Sequence, residues 1–420
     1  MRQALVVSRY FPFNTHRVHA VYQRLGTQLQ ALARVADQIV CLFLVPLEQC
    51  RNGDELLAHE QHLRSLWSVP LTLRLAPVAR DAPVTSLWQR ALRGALDVHG
   101  HPLARPVDNA EARLAVAEAL SARPDLVLAH RFSAMCVLLR LRALWKQIPL
   151  FFDMDDVEHV AWTRRLLTDP DYPRERLLLF QTPALLMAEL RAARLATATF
   201  VCSESDRRYL ARLASGARVQ VVPNSVAFPP DLPPNDTEPL VLFVGSMGSR
   251  PNAQAVDILV EKIWPEVHAR RPDARLVIIG AGAERTRSFS APPAGVSFVG
   301  FVDDLTHWYQ RARLVCCPIR HGSGTRVKII EAAAYGKAVV STRLGAEGLR
   351  LTDGNEIVLR EDTAGLIAAT LDLLNDPVLA QRLGAAARHK AAGLYERSAV
   401  TERLARIFQA GLNGRSARYA

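Results

Sequence analysis

The chain has 420 residues, more than one ordinary hydrophobic core holds, so we expect two domains of roughly 150–220 residues each. Apolar residues make up 49% of the chain and charged residues 22%, as in a typical soluble protein. No apolar run approaches the ~20 residues that a helix needs to cross a bilayer. The net charge of +11 suits an anionic membrane surface or a phosphorylated substrate. No block of five like charges occurs, so we expect no nucleic-acid partner.

The first residues, MRQALVVSRYFPF, break at Arg9 and contain no small-residue cleavage site, so they predict a first strand rather than a signal peptide. We therefore expect a cytoplasmic protein that visits the inner face of the membrane. Six cysteines lie mostly in apolar runs, and no CxxC pair occurs. Buried free thiols explain them better than disulfides or a zinc site. They are Cys41, Cys50, Cys136, Cys202, Cys316 and Cys317.

Short apolar runs alternate with helical patterns through the first half, which is typical of a mostly parallel, doubly wound α/β sheet. The predicted strands are Ala4–Val7, Gln38–Leu44, Leu71–Leu75, Asp125–Ala129, Pro149–Phe152, Ala198–Cys202 and Val219–Val222. The predicted helices include Val18–Leu32, Ala110–Leu120 and Pro183–Leu195. The stretch Pro77–Val107 is rich in Arg, Pro and Gly, and it predicts a helix-plus-loop insertion.

A segment with four prolines, Ala227–Glu238, interrupts this pattern as a hinge does. The alternation then resumes with the strands Val241–Val244, Arg275–Ile279, Val296–Val299, Leu314–Pro318, Ala338–Thr342 and Glu356–Leu359. We therefore predict one domain over residues 1–226, a hinge over 227–238, a second domain over 239–397 and a C-terminal segment over 398–420. The last helix, predicted over Ala399–Ala410, carries an apolar stripe and must dock on a domain. Either domain could receive it, and packing back on the first is one candidate.

The segment His321–Gly336 carries the strongest chemical signal. A strand ends near Pro318, the glycine-containing loop His321–Gly324 follows, and a helix is predicted over Thr325–Tyr335, with a glycine just past its end. Backbone N–H groups at a helix start, beyond the carboxyl end of a strand, are where open α/β sheets bind phosphate. The loop is not a Walker-A sequence, since no GK[ST] follows it.

Lys328 and Glu331 are three residues apart, so they share one face of this helix. A lysine can meet a phosphate, and a carboxylate can accept hydrogen bonds from two vicinal hydroxyls of a ribose. The alternative is an ordinary solvated ion pair, worth a few tenths of a kcal/mol. Two of only five lysines in the chain, Lys328 and Lys337, fall in or beside the helix, which favours the functional interpretation slightly.

The run GSGTRVKIIEAAAYGKAVVSTRLGAEGL, Gly322–Leu349, resembles the donor-site signature of retaining GT-B glycosyltransferases of the GT4 family. Four further stretches resemble the family in the expected order. They are Val219–Val226, Leu240–Val267, Ala274–Gly282 and Val296–Leu305. The resemblance implies the GT-B fold, two Rossmann-like doubly wound domains facing a central cleft. The first domain would bind the acceptor and the second the nucleotide-sugar.

The resemblance also implies a role for each residue of the donor site. Glu331 would bind the ribose hydroxyls, and Lys328 would hold the diphosphate together with the backbone of the preceding loop. Val302 would lie against the nucleobase. The loop residues are Gly322, Ser323, Gly324, Thr325 and Arg326.

Two positions depart from the family's pattern. A glutamate that contacts the donor sugar characteristically stands eight residues before the ribose glutamate, and Ser323 stands there in this chain. A basic residue often follows the glycine that matches Gly245, and here Ser246 follows it. Arg250 is a candidate for the missing charge, with a solvated loop arginine as the alternative. These departures leave the identity of the sugar open.

His130 follows the strand Asp125–Ala129 at its carboxyl end. Enzymes of the GT4 family often carry a histidine there, close to the transferred sugar. The resemblance therefore adds His130 to Lys328 and Glu331 as candidate catalytic residues. A surface or helix-capping histidine is the alternative.

Acidic residues cluster after the strand Pro149–Phe152. Their DxD tripeptide is similar to the metal motif of GT-A transferases. It lies in the acceptor half, away from the donor signature, so we predict no metal site. We interpret the carboxylates as cleft-lining groups that orient an acceptor hydroxyl, with a solvated loop as the alternative. They are Asp153, Asp155, Asp156 and Glu158.

Arg9 and Arg17 flank the loop after the first strand. They are candidates for meeting a phosphate on the carrier of the acceptor.

We therefore expect a retaining, metal-independent hexosyltransferase that needs no cofactor. It would move a sugar from a nucleoside-diphosphate sugar to an acceptor hydroxyl in polysaccharide or lipid-linked glycan synthesis. Its partners would be the nucleotide-sugar donor, a glycan or lipid-linked acceptor, and an anionic membrane touched peripherally. The alternatives are a catalytically weak binding or scaffold protein, which Ser323 favours, and a GT-B epimerase-like enzyme.

Overall fold

The structure, a computed structural model, describes residues 1–13, 20–47, 53–78, 86–96, 109–168, 173–230 and 238–419. Arg17, Cys50 and residues 231–237 of the predicted hinge lie outside the described residues. So do residues 79–85 and 97–107 of the predicted insertion.

The chain forms two compact units, and each contains one parallel sheet. The first unit holds the described residues up to Pro223 together with the segment from Val400 onward. The second unit runs from Asn224 to Ala399.

Seven parallel strands form the sheet of the first unit in the order β3-β2-β1-β4-β5-β6-β7. They are β1 (Gln3–Ser8), β2 (Gln38–Pro46), β3 (Leu71–Val78), β4 (Leu126–His130), β5 (Leu150–Asp155), β6 (Ala198–Val201) and β7 (Val219–Val221). The helices between them are α1 (Ala20–Leu32), α2 (Gly53–Trp67), α3 (Leu87–Ala95), α4 (Ala110–Ser121), α5 (Arg131–Arg140), α6 (Arg142–Trp145), α7 (Glu158–Thr168), α8 (Thr182–Leu195) and α9 (Glu204–Leu213). A 3-10 helix, Pro173–Gln181, precedes α8.

Six parallel strands form the sheet of the second unit in the order β10-β9-β8-β11-β12-β13. They are β8 (Leu240–Val244), β9 (Arg275–Ile279), β10 (Val296–Gly300), β11 (Leu314–Cys317), β12 (Ala338–Ser341) and β13 (Val358–Leu359). The helices are α10 (Arg250–Ile258), α11 (Trp264–Arg270), α12 (Thr306–Arg311), α13 (Val327–Ala334), α14 (Thr363–Asn375) and α15 (Pro377–Tyr395). One π-helical turn, Leu259–Ile263, joins α10 to α11, and a 3-10 turn, Ala283–Arg285, follows β9.

Each of the thirteen predicted strands is confirmed, with ends that differ by a few residues. Their apolar runs are legible because parallel strands are covered by helices on both faces. In β1, Leu5 and Val7 pack into one core cluster, while Ala4 and Val6 pack into another. The free, buried state of the cysteines is confirmed for the five that the structure describes.

In both sheets the first strand of the unit lies in the interior. The strands that follow it in the chain are added first on one side of it and then on the other. β1 lies between β2 and β4, and β8 lies between β9 and β11. At such a switch point the loops that leave the carboxyl ends of the two central strands diverge and open a crevice. The loops after β1 and β4, and those after β8 and β11, therefore occupy the positions where α/β sheets bind ligands.

The segment that precedes the undescribed part of the hinge packs within the second unit. Val226 pairs with Glu396, and Phe228 packs against a cluster that contains Ile330. Arg388 donates a hydrogen bond to the carbonyl of Pro229 at 2.5 Å. These contacts place the boundary of the unit at Asn224, a few residues before the predicted start of the hinge.

The C-terminal helix, α16 (Arg397–Tyr419), is longer than the predicted Ala399–Ala410 and packs into the core of the first unit. The ring of Phe408 lies 4.8 Å from that of Phe151 and 5.8 Å from that of Phe200. No helix in the described ranges combines the length and apolar character that a membrane span needs.

Two glycines of α15 differ in the space around them, so alanine should have opposite effects on the stability of the second unit at the two positions. A Cβ at Gly384 would lie 2.0 Å from the carbonyl oxygen of Gly336, whereas nothing lies within 4 Å of a Cβ at Gly393. We expect Gly384→Ala to destabilise the unit by more than about 2 kcal/mol, because the helix must move off the backbone beside it. Gly393→Ala should stabilise it by about 0.5–1 kcal/mol through helix propensity. Denaturant unfolding measures both changes, and equal shifts of the two variants would contradict this packing.

Candidate active site

Lys328, in the first turn of α13, has an almost fully buried side chain. Its Nζ atom donates to Oδ1 of Asn252 at 2.7 Å and lies 4.1 Å from the centre of the Phe243 ring. Both partners are neutral, and no acidic side chain in the described part of the chain forms an ion pair with Lys328. Burial lowers the pKa of Lys328 to about 8. The ammonium therefore carries a positive charge at neutral pH, and Glu331, one turn away, acts on it without forming an ion pair.

The loop after β8 comes into direct contact with Lys328. Asn252, which accepts from the ammonium, also donates from Nδ2 to the carbonyl of Ser246 at 2.8 Å. A Cβ at Gly245 would lie 2.5 Å from Nζ of Lys328, so only glycine leaves room for the lysine there. The lysine therefore lies at the switch point between β8 and β11.

The loop before α13 is held by its own arginine. Arg326 donates from Nη1 to the carbonyls of Ser323 and Gly324, and from Nη2 to that of His321 at 3.3 Å. The backbone of Arg326 is extended, so the helix begins at Val327 and not at the predicted Thr325. The guanidinium is thus engaged with the loop, and it shapes the loop around the helix start.

Thr325 and Gly322 link the same loop to its surroundings. Oγ1 of Thr325 accepts a hydrogen bond from Nδ2 of Asn224 at 2.9 Å. A Cβ at Gly322 would lie 3.0 Å from the ring of Pro251, which stands in the first turn of α10. The loops after β8 and β11 therefore contact each other. No side chain caps α13 in the described residues, so its first N–H groups face this crevice without a side-chain acceptor.

Glu331 lies one turn beyond Lys328, partly exposed. It is close enough to Tyr309 and Arg397 to act on both. Burial raises the pKa of the Tyr309 phenol, and the charge of Glu331 adds to this shift. Burial lowers the pKa of Arg397, and Glu331 opposes that shift. A fully buried tyrosine and an arginine therefore flank the carboxylate.

The other predicted donor residues occupy the same edge of the sheet. Arg250 begins α10, and Ser246 and Ser323 are partly exposed in the two loops. Val302 follows β10 and packs partly against the core of the second unit. Lys337, by contrast, is a structural lysine, since its Nζ donates to the carbonyl of Gln310 at 3.0 Å.

His130 ends β4 at the switch point of the first unit and is fully buried. Its Nδ1 atom lies 2.8 Å from Oγ of Ser8, the last residue of β1. Burial lowers its pKa to about 4, although Asp153 opposes the shift, so the ring is neutral at physiological pH. The alternatives of a surface or a capping histidine are wrong, because the ring is inaccessible and makes no capping hydrogen bond.

Asp153 and Asp155 lie on β5 and are buried, so the solvated-loop alternative is wrong for both. Arg24 donates from Nε to both oxygens of Asp153 at 3.0 Å, and from Nη1 to the carbonyl of Val222 at 2.8 Å. These bonds occupy the Asp153 carboxylate with a buried arginine. We therefore correct its predicted role from orienting an acceptor to holding α1 and the end of β7 against β5.

Arg131 and Asp155 form a second ion pair across the ends of β4 and β5. Both have left-handed backbone conformations, with φ of 71° and 60°. Such strain costs about 1–3 kcal/mol per residue and persists only where the surroundings enforce it. Burial would raise the pKa of Asp155, but Arg131 and Arg24 outweigh it and lower the pKa to about 2. The strained pair points Arg131 towards the ring of Tyr10, 5.8 Å away.

Asp156, Glu158 and Arg9 are the accessible members of the predicted acceptor set. Nη1 of Arg131 lies 3.8 Å from Asp156, whose side chain is partly exposed. Burial raises the pKa of Glu158 to about 7, and Glu189 adds to the shift while Arg131 opposes it. The guanidinium of Arg9 lies 5.3 Å from the centre of the Tyr10 ring.

Oxygen and sulfur atoms of Asp155, Asp156 and Cys202 lie within 4.8 Å of one another, as metal ligands can. The thiol of Cys202 donates to Asp155, and Arg24 and Arg131 also bind that carboxylate. Two guanidinium groups this close repel a cation and already supply the positive charge that a metal would bring.

Several partners of the site carry no sequence signal that we recognised. Arg24, Arg131, Asn252 and Tyr309 lie in ordinary-looking helices or loops, and tertiary contacts alone bring them to the site. One clue was available for Arg131, because it follows His130 directly at the carboxyl end of a predicted strand. Asn224 stands within the quoted stretch Val219–Val226, but its hydrogen bond to Thr325 spans 101 residues.

Comparison with known proteins identifies the second unit. Residues 238–376 match the family model described as glycosyl transferases group 1. The chain is 32% identical over 176 residues to the phosphatidyl-myo-inositol mannosyltransferase of Mycolicibacterium smegmatis, covering 40% of this chain and 44% of that protein. It is 26% identical over 237 residues to a GDP-mannose-dependent monoacylated alpha-(1-6)-phosphatidylinositol monomannoside mannosyltransferase of Corynebacterium glutamicum, covering 50% of this chain and 61% of the relative. The matched part thus spans about half the length of these curated relatives.

The fold of the whole chain is similar to that of a sucrose-phosphate synthase from Thermosynechococcus elongatus. The TM-score is 0.68 at 18% identity, over 98% of this chain and 100% of the other. Two α/β units, each built on a parallel sheet, are the architecture of the GT-B fold. The predicted fold class is confirmed. The second unit is therefore similar in sequence to the glycosyl transferases group 1 over residues 238–376.

The pKa of Lys328 predicts a pH dependence for nucleotide binding. A lysine with a pKa of about 8 is charged below that pH and neutral above it. Affinity for a nucleoside diphosphate should therefore be full below about pH 8 and fall above it, approaching tenfold per pH unit. Arginine stays charged throughout, so Lys328→Arg should bind with a pH-independent affinity between pH 7 and 9.5. Calorimetry with GDP or UDP measures both, and a flat wild-type profile would contradict the role of Lys328.

Proposed function

We propose that the protein is a hexosyltransferase that moves a sugar from a nucleoside-diphosphate sugar to an acceptor hydroxyl, with retention and without a metal. The observation that carries the proposal is the pairing of Lys328 and Glu331 on α13, at the switch point of the second sheet. Lys328 offers an ammonium with only neutral partners, and Glu331 offers a partly exposed carboxylate one turn away.

The chemical step needs positive charge at the leaving group. As the bond to the sugar breaks, negative charge builds on the outer phosphate of the diphosphate. Lys328 and the uncapped start of α13 would stabilise that charge, and a helix start contributes about half a unit charge. These groups would do the work that a divalent cation does in other transferases, which is the basis for proposing a metal-independent reaction.

Glu331 would bind the two ribose hydroxyls of the nucleotide. Tyr309 and Arg397 lie close enough to the carboxylate to interact with its charge, and we expect them to favour one orientation of it before the nucleotide arrives. A preorganised acceptor loses less entropy on binding than a mobile one. Retention rests on the resemblance of Gly322–Leu349 to the retaining family.

The first unit would supply the acceptor side. His130 is neutral, and Ser8 contacts its Nδ1 atom, so Nε2 can carry the proton if Ser8 donates. Arg9 and Arg131 both lie against the ring of Tyr10 at the same switch point, and they would attract a phosphate on the acceptor carrier. The two strained residues at the strand ends support a functional interpretation of this edge.

The names of the curated relatives favour one substrate pair to test first. Both relatives are mannosyltransferases that act on phosphatidylinositol or its mannoside, and the second is named as dependent on GDP-mannose. We therefore propose mannose from GDP-mannose as the first donor, and a lipid-linked acceptor with a free hydroxyl.

Substitution of Glu331 tests the proposal directly. We expect Glu331→Ala to lower kcat/KM for sugar transfer at least about 100-fold, because two hydrogen bonds to a charged acceptor are lost. Asp372→Ala, an exposed carboxylate on α14, is the matched control and should leave the rate unchanged. A panel of nucleotide-sugars and lipid extracts is assayed by mass spectrometry of the product. Undetectable turnover in wild type and variant alike, with no nucleotide binding, would favour the scaffold alternative. Conversion of the sugar without a new glycosidic bond would favour the epimerase alternative.

Helix α3 offers a surface for the proposed contact with an anionic membrane. Trp88, Leu92 and Leu96 recur at one-turn spacing and are 70%, 64% and 75% exposed. The other side of the helix is packed, since Ala91 is buried and a Cβ at Gly94 would meet the side chain of Gln181 at 2.4 Å. The helix sequence contains two arginines and no acidic residue. Apolar residues beside cations suit the interface of an anionic bilayer.

Vesicle binding tests this surface. The double variant Trp88→Ser and Leu92→Ser should bind phosphatidylglycerol vesicles at least tenfold more weakly than wild type. Burial of each apolar side chain in the membrane contributes about 1.5–3 kcal/mol of binding free energy, and serine does not supply it. Leu114→Ser with Leu144→Ser removes two other exposed leucines and should bind like wild type. Wild-type binding should also fall steeply between 50 and 500 mM salt, because the Debye length becomes about threefold shorter and the attraction to the anionic lipids is screened. Equal binding by both double variants would argue against α3.

A further inference from the structure

A pocket of about 300 Å³ opens at the amino-terminal edge of the first sheet. Pro149, Thr197 and Arg218 line it, and each stands just before the start of a strand, β5, β6 or β7. The carboxyl ends that carry His130 and Asp155 lie at the opposite edge, roughly 16 Å away at 3.3 Å per residue. The pocket is therefore separate from the residues of the first unit that are assigned above to the transfer reaction.

The pocket has a single sign of charge. Lys146, Arg194 and Arg218 line it, and none of its fourteen lining residues is acidic. Arg194 donates to the carbonyl of Leu213 at 2.9 Å, which fixes its guanidinium at the rim. Within the ranges that the structure describes, neither Lys146 nor Arg218 has a side-chain hydrogen bond or an ion pair. All three cations are exposed to solvent, and they line one pocket without an internal counter-charge.

The walls of the pocket are well defined. Trp145 is buried beneath it and donates from Nε1 to the carbonyl of Leu138 at 2.7 Å. Gly411 of α16 forms another wall, and a Cβ there would lie 2.4 Å from the ring of Phe151. The close approach of α16 to Phe151 keeps the pocket narrow. Trp145 and Gly411 both belong to the first unit.

The balance of charge decides what the pocket can hold. The end of α8 lies in the wall, and a helix end contributes about half a negative charge. Three full positive charges outweigh it. Converging cations in a small pocket match the oxygens of a phosphate, which guanidinium groups bind bidentately. A volume near 300 Å³ is at the small end of ligand pockets and suits a compact ligand.

We propose that this pocket binds the phosphate group of a small soluble phosphorylated ligand, of the size of a sugar phosphate. Arg194 and Arg218 donate hydrogen bonds to the phosphate oxygens, and Lys146 adds a third positive charge. The ligand is distinct from the nucleotide-sugar donor, whose diphosphate meets Lys328 in the other unit.

Calorimetry with glucose 6-phosphate tests the proposal on the full chain. Wild type and Lys328→Ala should bind it with equal affinity, and the double variant Arg194→Ala with Arg218→Ala should bind at least tenfold more weakly. Lys146→Glu should weaken binding further by reversing one charge. The matched control, Arg212→Ala with Arg382→Ala, removes two exposed arginines that do not line the pocket and should bind like wild type. Glucose without the phosphate should not bind.

The outcomes separate this pocket from the donor site and from a lipid surface. Unchanged affinity in the Arg194 and Arg218 double variant would overturn the proposal. So would loss of binding in Lys328→Ala alone, which would place the probe at the donor site. Binding to phosphatidylglycerol vesicles that depends on Arg194 and Arg218, with no binding of glucose 6-phosphate, would assign the cations to a membrane and also overturn it. Failure of sugar transfer leaves the binding result unaffected.

Discussion

Parallel pairing of the strands is the constraint on which the rest of the structure depends. Because all strands of a sheet point the same way, every loop that follows a strand emerges at one edge. The strand order reverses at β1 and at β8, so two neighbouring loops in each unit diverge there and leave a crevice between them. His130 and Ser8 meet at one such point, and Lys328 and Gly245 meet at the other. The chemistry of both units is therefore located by topology before any side chain is considered.

The two switch points handle buried charge in different ways. Taking an ion out of water costs several kcal/mol unless protein groups replace the lost solvation. In the first unit, Arg24 and Arg131 neutralise Asp153 and Asp155, and the result is a rigid frame. In the second unit, Lys328 receives only an amide oxygen and a ring face. A charge with neutral partners still gains by meeting an anion, whereas a charge that is already paired gains little.

The sequence was sufficient for the strands and for the existence of helix α13, and insufficient for the side chains that pack around them. Apolar runs between turn residues mark buried parallel strands because both of their faces are covered, so all thirteen could be predicted. Lys328 and Glu331 could be found because three-residue spacing on a helix is a local property. The acidic stretch after β5 was harder, since its pattern is the same whether Asp153 lines a crevice or pairs with Arg24, 129 residues away. The start of α13 was misjudged for a similar reason, because side-chain bonds of Arg326 hold the loop open.

The path of α16 has a consequence for the evolution and engineering of the chain. Its apolar residues belong to the core of the first unit, although they are encoded after the whole of the second. A gene cut after residue 223 would yield a first half with Phe151 and Phe200 uncovered, and such a fragment would aggregate more readily than fold. Moving the last twenty residues ahead of Met1 would make that unit continuous in sequence.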